Sequence, residues 1–438
     1  MTSDQMADRF GTVWKNTQLF FQPRMIAILL LGFSGGLPLA LSFSTLSVWM
    51  AEENVSLRTI GLFSLVSMPY VLKPLWAPLF DQLPLAFLSK LLGRRRGWLI
   101  VSQVALMAAV LALGASDPVG SPWNTAALAL LVTFFSASQD IVIDAYRVER
   151  LADSEQGVGA SSYIYGYRVG MLVSGAGALL IADHVSWFWT YAAMAATLLV
   201  GVVTTLIIRE PEGSAFKVLE RRTTVIEQCR AWLQVAFVEP FREFMTRRAW
   251  FAILVFILFY KFGDALAGVL SNPFYIQIGF DKTEIAYYAK VLGLGGTLLG
   301  VFFGALMVAR INILKTLLIC GILQALSNLM FVWLAAAGND TTLLALTIAA
   351  ENFTGGMGTA AFVAYISGLT NISFTATQFA LLTSLASVGR TIFASYSGGV
   401  VELVGWVDFF IISTLAAGPG LLLLLWLMAK QKRLKSPV

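Results

Sequence analysis

The chain has 438 residues, of which 58% are hydrophobic and 13% charged, with a formal net charge of +5, and its mean hydropathy is +0.76. A soluble domain carries about 25% charged residues, so this composition excludes a fold solvated by water alone and makes lipid part of the solvent. Apolar runs of spanning length, about 20 residues, recur along the whole chain, too long and too uniform for barrel strands, and each must satisfy its backbone internally as a helix.

Residues 1–24 are polar and mixed in charge, without the basic start and short apolar core of a cleavable signal peptide, so the first apolar segment is expected to stay as a helix. The apolar pattern predicts helices at 25–51, 57–80, 97–115, 123–147, 158–182 and 186–208. After a polar stretch it predicts 249–276, 283–308, 313–337, 341–369, 375–401 and 406–429. The first helix contains Gly35-Gly36-Leu37-Pro38, which packing neighbours make tolerable. Domain boundaries follow: 1–208 as an N-terminal six-helix bundle, 209–248 as a linker, 249–438 as a C-terminal six-helix bundle. The linker carries Glu210-Pro211-Glu212-Gly213 and a segment with Arg221, Arg222, Trp232, Phe237 and Phe241. That segment suits either a helix lying on the membrane surface or a solvated connector.

Basic residues orient the spans. Those expected between helices divide into 23 on one side, including Arg24, Lys90, Arg94, Arg95, Arg96, Arg147, Arg150 and Arg209, and only Arg58 and Lys282 on the other. The positive-inside rule places the first side, with both termini, in the cytoplasm. The halves also resemble each other. Trp49 and Ile60 match Phe274 and Ile285 at an offset of 225, and Arg168 matches Arg390 at 222. Chance similarity of apolar helices is the competing explanation. A parallel repeat of six helices, both starting in the cytoplasm, has the symmetry of a major-facilitator transporter.

Five basic residues fall within the expected helices: Lys73, Arg168, Lys261, Lys290 and Arg390. The intramembrane acids are Asp140, Asp144, Asp264 and Glu351. A charge at mid-helix costs about 3 kcal/mol on insertion scales, so such residues face a cavity or a partner. In the two-half arrangement the acids, with Lys261, lie on helices that surround the central cavity, and Lys73, Arg168, Lys290 and Arg390 on helices that flank the interface between the halves. Asp140 and Asp144 are four apart and share a helix face. Two neighbouring carboxylates in a poorly solvated site resist double ionisation, and Arg168 on the next helix would hold one of them charged. This is proton-relay chemistry; a static ion pair locking two helices is the alternative. Lys261 and Asp264 either serve the pathway or neutralise each other. Glu351-Asn352 enters a run with Gly355, Gly356 and Gly358 that either lines a cavity or allows close helix packing. His184 is expected in an exposed loop, and Cys229 and Cys320 fit neither a disulfide framework nor a metal site. Tyr163, Tyr165 and Tyr167 cluster near Arg168, and Tyr260 precedes Lys261. Such rings belong to membrane interfaces or stack on a sugar. There is no Walker A motif, and the glycine pairs lie within apolar helices. Neither enzyme chemistry, a cofactor nor a metal is expected.

Several motifs together carry a family resemblance: Gly32-Phe-Ser-Gly-Gly-Leu-Pro38, Gly93-Arg-Arg-Arg-Gly-Trp98, Ser136-Ala-Ser-Gln-Asp-Ile-Val-Ile-Asp-Ala145, Gly166-Tyr-Arg-Val-Gly-Met-Leu-Val-Ser-Gly175, Tyr260-Lys-Phe-Gly-Asp-Ala265, Glu351-Asn-Phe-Thr-Gly-Gly-Met-Gly358 and Thr377-Gln-Phe-Ala-Leu-Leu382. Over about residues 21–425 the chain resembles the AmpG muropeptide permeases. The resemblance implies an all-α membrane protein of the major-facilitator fold, with twelve transmembrane helices in two six-helix halves. It implies proton-driven import of N-acetylglucosaminyl-1,6-anhydro-N-acetylmuramyl peptides across the inner membrane, feeding cell-wall recycling and β-lactamase induction. The alternatives are a carrier of another anionic solute, such as a coenzyme A ester, or a non-transporting membrane assembly factor. Expected partners are muropeptide, protons and membrane lipid, with no nucleic acid, and the chain is expected to be a monomer.

The candidate coupling residues are Asp140, Asp144 and Arg168. Candidate substrate contacts are Gln139, Tyr167, Tyr260, Lys261, Asp264, Lys290, Glu351, Asn352 and Arg390. The candidate gate is Asp81 with Arg94, Arg95 and Arg96, the arginines expected to pair with Asp81 or with the end of the fourth helix at Glu149. In major-facilitator proteins the acid and the basic cluster of this loop lie close together in sequence. Here an apolar insertion separates Asp81 from Gly93-Arg94-Arg95-Arg96, which puts the pairing in question.

Overall fold

The computed structural model describes residues 18–53, 55, 63–85, 87–211, 234, 238–280, 284, 287–288, 292–395 and 397–435. Every regular element among them is helical. Nine helices among the described residues are long and apolar enough to cross a membrane. Most of the expected linker, with Arg221, Arg222, Trp232 and Phe237, lies outside the described residues, as do Lys290 and the side chain of Arg390.

The chain divides into two compact units. Unit 1 comprises residues 1–153, 162–241 and 370–384; unit 2 comprises 154–161, 242–369 and 385–438. In unit 1 the Pro23–Ala40 helix runs on through a π turn, Leu41–Thr45, into Leu46–Glu52. A second π turn, Val173–Gly177, interrupts the helix after Gln156–Leu172, and Thr45 Oγ1 donates to the Ser174 carbonyl at 2.8 Å, joining the two turns. Such turns leave backbone groups for outside partners.

The expected 57–80 helix is described only from Phe63, as short pieces ending at Ala77–Gln82. Its prolines at 69, 74 and 78 each remove a backbone donor and crowd the preceding turn. Arg94–Gly114, Pro122–Arg150, Trp187–Thr197 and Leu199–Ile207 complete the long helices of this unit.

Helices in unit 1 approach through glycine. A Cβ at Gly32 or Gly36 would collide with the carbonyls of Tyr163 or Tyr167, and one at Gly166 or Gly170 with those of Leu29 or Phe33. The Pro23–Ala40 and Gln156–Leu172 helices thus cross backbone to backbone, as small residues permit in a membrane. The same device recurs in unit 2, where Gly300 and Gly304 lie against the Phe353 and Met357 carbonyls and Gly356 against that of Thr297. There Gly293–Arg310 packs along Thr341–Gly368. An aromatic cluster of Phe274, Tyr275, Phe331, Phe409 and Phe410 fills the core of unit 2.

The expected 249–276 helix is two helices, Trp250–Phe259 and Phe262–Gln277, broken at Tyr260–Lys261. Ile313–Ala337 and Thr341–Gly368 match their expected bounds closely. The expected 406–429 helix is divided between Ser397–Ala416, with a non-helical Gly405 at φ 78°, and Gly418–Lys435. His184 is exposed, as read from the sequence.

Candidate functional site

Among the described residues, three clusters of charged and polar side chains lie inside the fold. The first lies on Pro122–Arg150. Four-residue spacing puts Asp140 and Asp144 on one face, and both are buried, 7% and 8% exposed. Tyr163 donates its hydroxyl to Asp140 Oδ1 at 3.3 Å. Gly35 gives that carboxylate room, since a Cβ there would stand 2.9 Å from Asp140 Oδ1. Asp144 Oδ1 pairs with Arg147 Nη2 at 3.5 Å. The Arg147 guanidinium is fully buried and lies over the Phe379 ring, 5.4 Å from its centre. The Lys73 ammonium also acts on both carboxylates. Gln139 accepts from Ser34 Oγ at 3.2 Å, and Tyr167 packs on Tyr163 with ring centres 5.8 Å apart.

The expected partner Arg168 is not part of this cluster. It is exposed and forms no ion pair with either aspartate among the described residues. Arg147, which sequence reasoning assigned to the cytoplasmic loop, occupies that place because it is three residues from Asp144 on the same helix face.

The second cluster is in unit 2. Gln324 donates its amide to Asp264 Oδ2, and Lys261 Nζ donates to Thr359 Oγ1 at 2.6 Å. Lys261 and Asp264 therefore have separate hydrogen-bond partners in addition to each other's charge. Glu351 Oε2 accepts from Asn352 Nδ2 at 2.8 Å, and Asn352 Oδ1 from Thr297 Oγ1 at 3.0 Å. The nearby glycines allow close packing. Gly356 serves helix packing, while Gly358 leaves room for Gln324, whose Oε1 would lie 2.8 Å from a Cβ there. Tyr260 donates to the Leu317 carbonyl at 2.9 Å and stacks on Phe362, ring centres 5.2 Å apart. Gln324, Thr359 and Thr297 were missed from sequence; a lone Gln or Thr in an apolar helix carries no pattern to single it out.

The third cluster surrounds Asp81 in unit 1. The apolar insertion folds into Leu88–Leu92 and returns the chain, so that Arg95 Nη2 meets Asp81 Oδ1 at 2.7 Å. Arg95 also donates Nε to Glu149 Oε2 at 3.0 Å, and Arg94 donates Nη1 to the Asp81 carbonyl at 2.8 Å. The Arg95 and Asp81 side chains are fully buried. Separation in sequence therefore does not separate the acid from its base. Arg96 turns away and donates to the Leu206 and Thr205 carbonyls at 2.7 and 2.9 Å.

Two partners in this cluster were invisible in the sequence. Asp81 Oδ2 accepts from the backbone N–H and hydroxyl of Thr377, each at 2.8 Å, and Oδ1 from the Ala376 N–H at 3.2 Å. Asp81 thereby caps the Thr375–Ser395 helix, placing a carboxylate on the positive end of its dipole. Glu210 does the same for Arg94–Gly114, accepting from the Arg95 and Arg96 N–H groups at 2.8 and 3.1 Å. Gly93 makes that approach possible: its φ is 95°, and a Cβ would collide with the Glu210 carboxylate.

Residues 25–350 match the Major Facilitator Superfamily. The chain is 43% identical over 410 residues to the anhydromuropeptide permease of Escherichia coli, covering 93% of this chain and 80% of the relative. It is 34% identical over 416 residues to a putative transporter, AmpG 4, of Rickettsia conorii, covering 94% of this chain and 99% of that one. Among solved structures it is similar in fold to the E. coli fucose:proton symporter FucP. That likeness has a TM-score of 0.67 and 13% identity, covering 95% of this chain and 99% of that chain. FucP in an outward conformation gives a TM-score of 0.64 at 12% identity, with 95% and 100% coverage.

Proposed function

The chain belongs to the AmpG, or anhydromuropeptide permease, family of the major facilitator superfamily, and from that premise we propose that it imports cell-wall-derived N-acetylglucosaminyl-1,6-anhydro-N-acetylmuramyl peptides together with protons. It is a multi-pass membrane permease and not an enzyme. Twelve helices in two six-helix halves, joined by a cytoplasmic linker, span the bacterial inner membrane with both termini inside. The imported sugar-peptide re-enters cell-wall synthesis and serves as the signal for β-lactamase induction.

The observation that carries this reading is identity of 43% to a permease named for the same substrate, spread over 93% of the chain. The polar clusters supply chemistry that fits it. Asp140 and Asp144 are the proton-exchanging pair. Among the described residues, Arg147 neutralises Asp144 while Asp140 has a tyrosine hydroxyl as its hydrogen-bond donor, so the two acids are not equivalent. Coupling follows when the protein's two access states differ in proton affinity at this pair; equal affinity would shift nothing. Lys261, Glu351, Asn352 and Gln324 offer donors and acceptors for the sugar hydroxyls and peptide carboxylates. Asp81, Arg94 and Arg95 hold one end closed.

Binding to the purified protein tests the substrate assignment. Radiolabelled anhydro-muropeptide should bind saturably and be displaced by unlabelled muropeptide, and Lys261→Gln should weaken binding about tenfold, the loss of one charge-assisted hydrogen bond. Displacement by a coenzyme A ester but not by muropeptide would assign the chain to another anionic solute. Folded protein that binds neither would favour an assembly role.

A further inference from the structure

We propose that each unit binds one anionic phospholipid in a pocket at the membrane–water boundary, built on the same plan in both. In unit 1 a pocket of about 500 Å³ opens between the start of Pro23–Ala40 and the ends of Pro122–Arg150 and Leu199–Ile207. Arg24, Arg150 and Arg209 converge on it. Tyr146 lines the same pocket and donates its hydroxyl to the Arg209 carbonyl at 3.2 Å. Arg24 Nε donates to Gln22 Oε1 at 2.7 Å. Ile26 and Ile207 continue the wall and are 44% and 76% exposed, surface that only lipid tails solvate well.

Unit 2 carries the counterpart. A pocket of about 240 Å³ lies between the start of Trp250–Phe259, the end of Thr341–Gly368 and the Gly418–Lys435 helix. Arg248 stands where Arg24 does, at an offset of 224 residues; Tyr365 matches Tyr146 at 219, and Lys430 matches Arg209 at 221. Lys430 is held over the Trp426 ring at 4.6 Å. The positive-inside rule accounts for basic residues at these helix ends. It does not require them to line a cavity together with a tyrosine, twice, at matching sequence offsets. Glu210, next to Arg209 in the chain, has its carboxylate turned to the Arg95 and Arg96 N–H groups.

The ligand this selects has one phosphate for the basic side chains, guanidinium groups binding it in a fork, and acyl chains, which in unit 1 meet the exposed Ile26 and Ile207. Basic pockets between transmembrane helices hold such headgroups. The lipid would tie the first helix of each repeat to its fourth and sixth.

Native mass spectrometry of the full-length protein tests this without reference to muropeptide, so its outcome is independent of the transport reading. The protein is incubated with phosphatidylglycerol, with phosphatidylcholine of the same chains, or with glycerol 3-phosphate. Two phosphatidylglycerol molecules should be retained, with about tenfold preference over phosphatidylcholine and no retention of glycerol 3-phosphate. The pair Arg24→Gln and Arg209→Gln should lose one lipid, and Arg248→Gln with Lys430→Gln the other. Arg24→Lys with Arg209→Lys, which keeps the charge, should retain both. Equal retention of phosphatidylcholine, or two lipids on the combined glutamine variant, would overturn the proposal. Glycerol 3-phosphate binding as firmly as phosphatidylglycerol would make these sites for a free phosphate instead.

Discussion

Asp81→Asn isolates the capped helix start from the rest of the fold, because it changes one atom type at a residue with four hydrogen-bond donors around it. An asparagine keeps one acceptor oxygen but places an NH2 where the other stood, so two donors lose their partner. Either the Thr377 N–H and hydroxyl or the Arg95 guanidinium and Ala376 N–H are left. Hydrogen bonds to a charged group contribute about 1.5–3 kcal/mol each, and loss of the charge removes up to about 1 kcal/mol of dipole stabilisation. Arg95 retains Glu149, which limits the cost on that side. The balance is about 3–4 kcal/mol against the closed arrangement, or a shift of about 100- to 1,000-fold in its population at 1.4 kcal/mol per tenfold. The assay is maleimide labelling of a cysteine introduced at buried Gln378, with Cys229 and Cys320 replaced by serine. Asp81→Asn should accelerate labelling by at least tens of fold and slow muropeptide uptake, while Thr377→Val, which removes only the hydroxyl donor, should accelerate it by about tenfold. Labelling unchanged by Asp81→Asn in folded protein would refute the closing role and leave the arginine cluster with topology alone.

Asp140→Asn and Asp144→Asn should each abolish gradient-driven accumulation, and at least one should retain exchange of labelled muropeptide across a membrane without a gradient. Insertion failure in both would favour the static ion pair, and accumulation equal to the parent would move coupling to Asp264 or Glu351. Arg168→Gln should leave accumulation near the parental level, since the guanidinium beside Asp144 belongs to Arg147; loss equal to that of Asp144→Asn would restore Arg168 as partner. Gly300→Ala forces a methyl onto the Phe353 carbonyl and should destabilise by about 1–3 kcal/mol, read as a lower melting temperature in a fluorescence thermal-shift measurement. Gly93→Ala combines a strained φ of 95° with a collision at Glu210 and should lower the melting temperature as well, by an amount that Glu210→Ala in the same chain partly relieves.

Much of the architecture could be read from apolar length, because a membrane helix has one way to satisfy its backbone and about 20 residues in which to do it. Ile313–Ala337 and Thr341–Gly368 fall where hydropathy alone puts them. The breaks were less legible. Tyr260–Lys261 has no proline close to it, Pro273 lying well downstream, and helix geometry there depends on what packs around it. Within the candidate site, the charged residues announced themselves by their rarity. Their partners did not. Arg147 looks like a loop arginine because it sits near a helix end, and only the fold shows it fully buried on the face of Asp144. The bond from Asp81 to Thr377 joins residues 296 positions apart, and a backbone N–H leaves no trace in the composition. Arg95 reaching Asp81 across an apolar insertion is a consequence of the turn at Gly93 and the Leu88–Leu92 helix, which reverse the chain.

Uptake into proteoliposomes of the full-length protein tests proton-driven muropeptide import most directly. An inward proton gradient and membrane potential equivalent to about 150 mV supplies roughly 3.5 kcal/mol per charge, enough to concentrate the substrate a few hundred-fold at one proton per molecule. Labelled anhydro-muropeptide should accumulate well above its external concentration when the gradient is imposed, collapse to equality on addition of a protonophore, and fail to accumulate in Asp140→Asn and Asp144→Asn protein. Uptake that is the same with and without the gradient, or absent from folded and correctly oriented protein, would contradict the account.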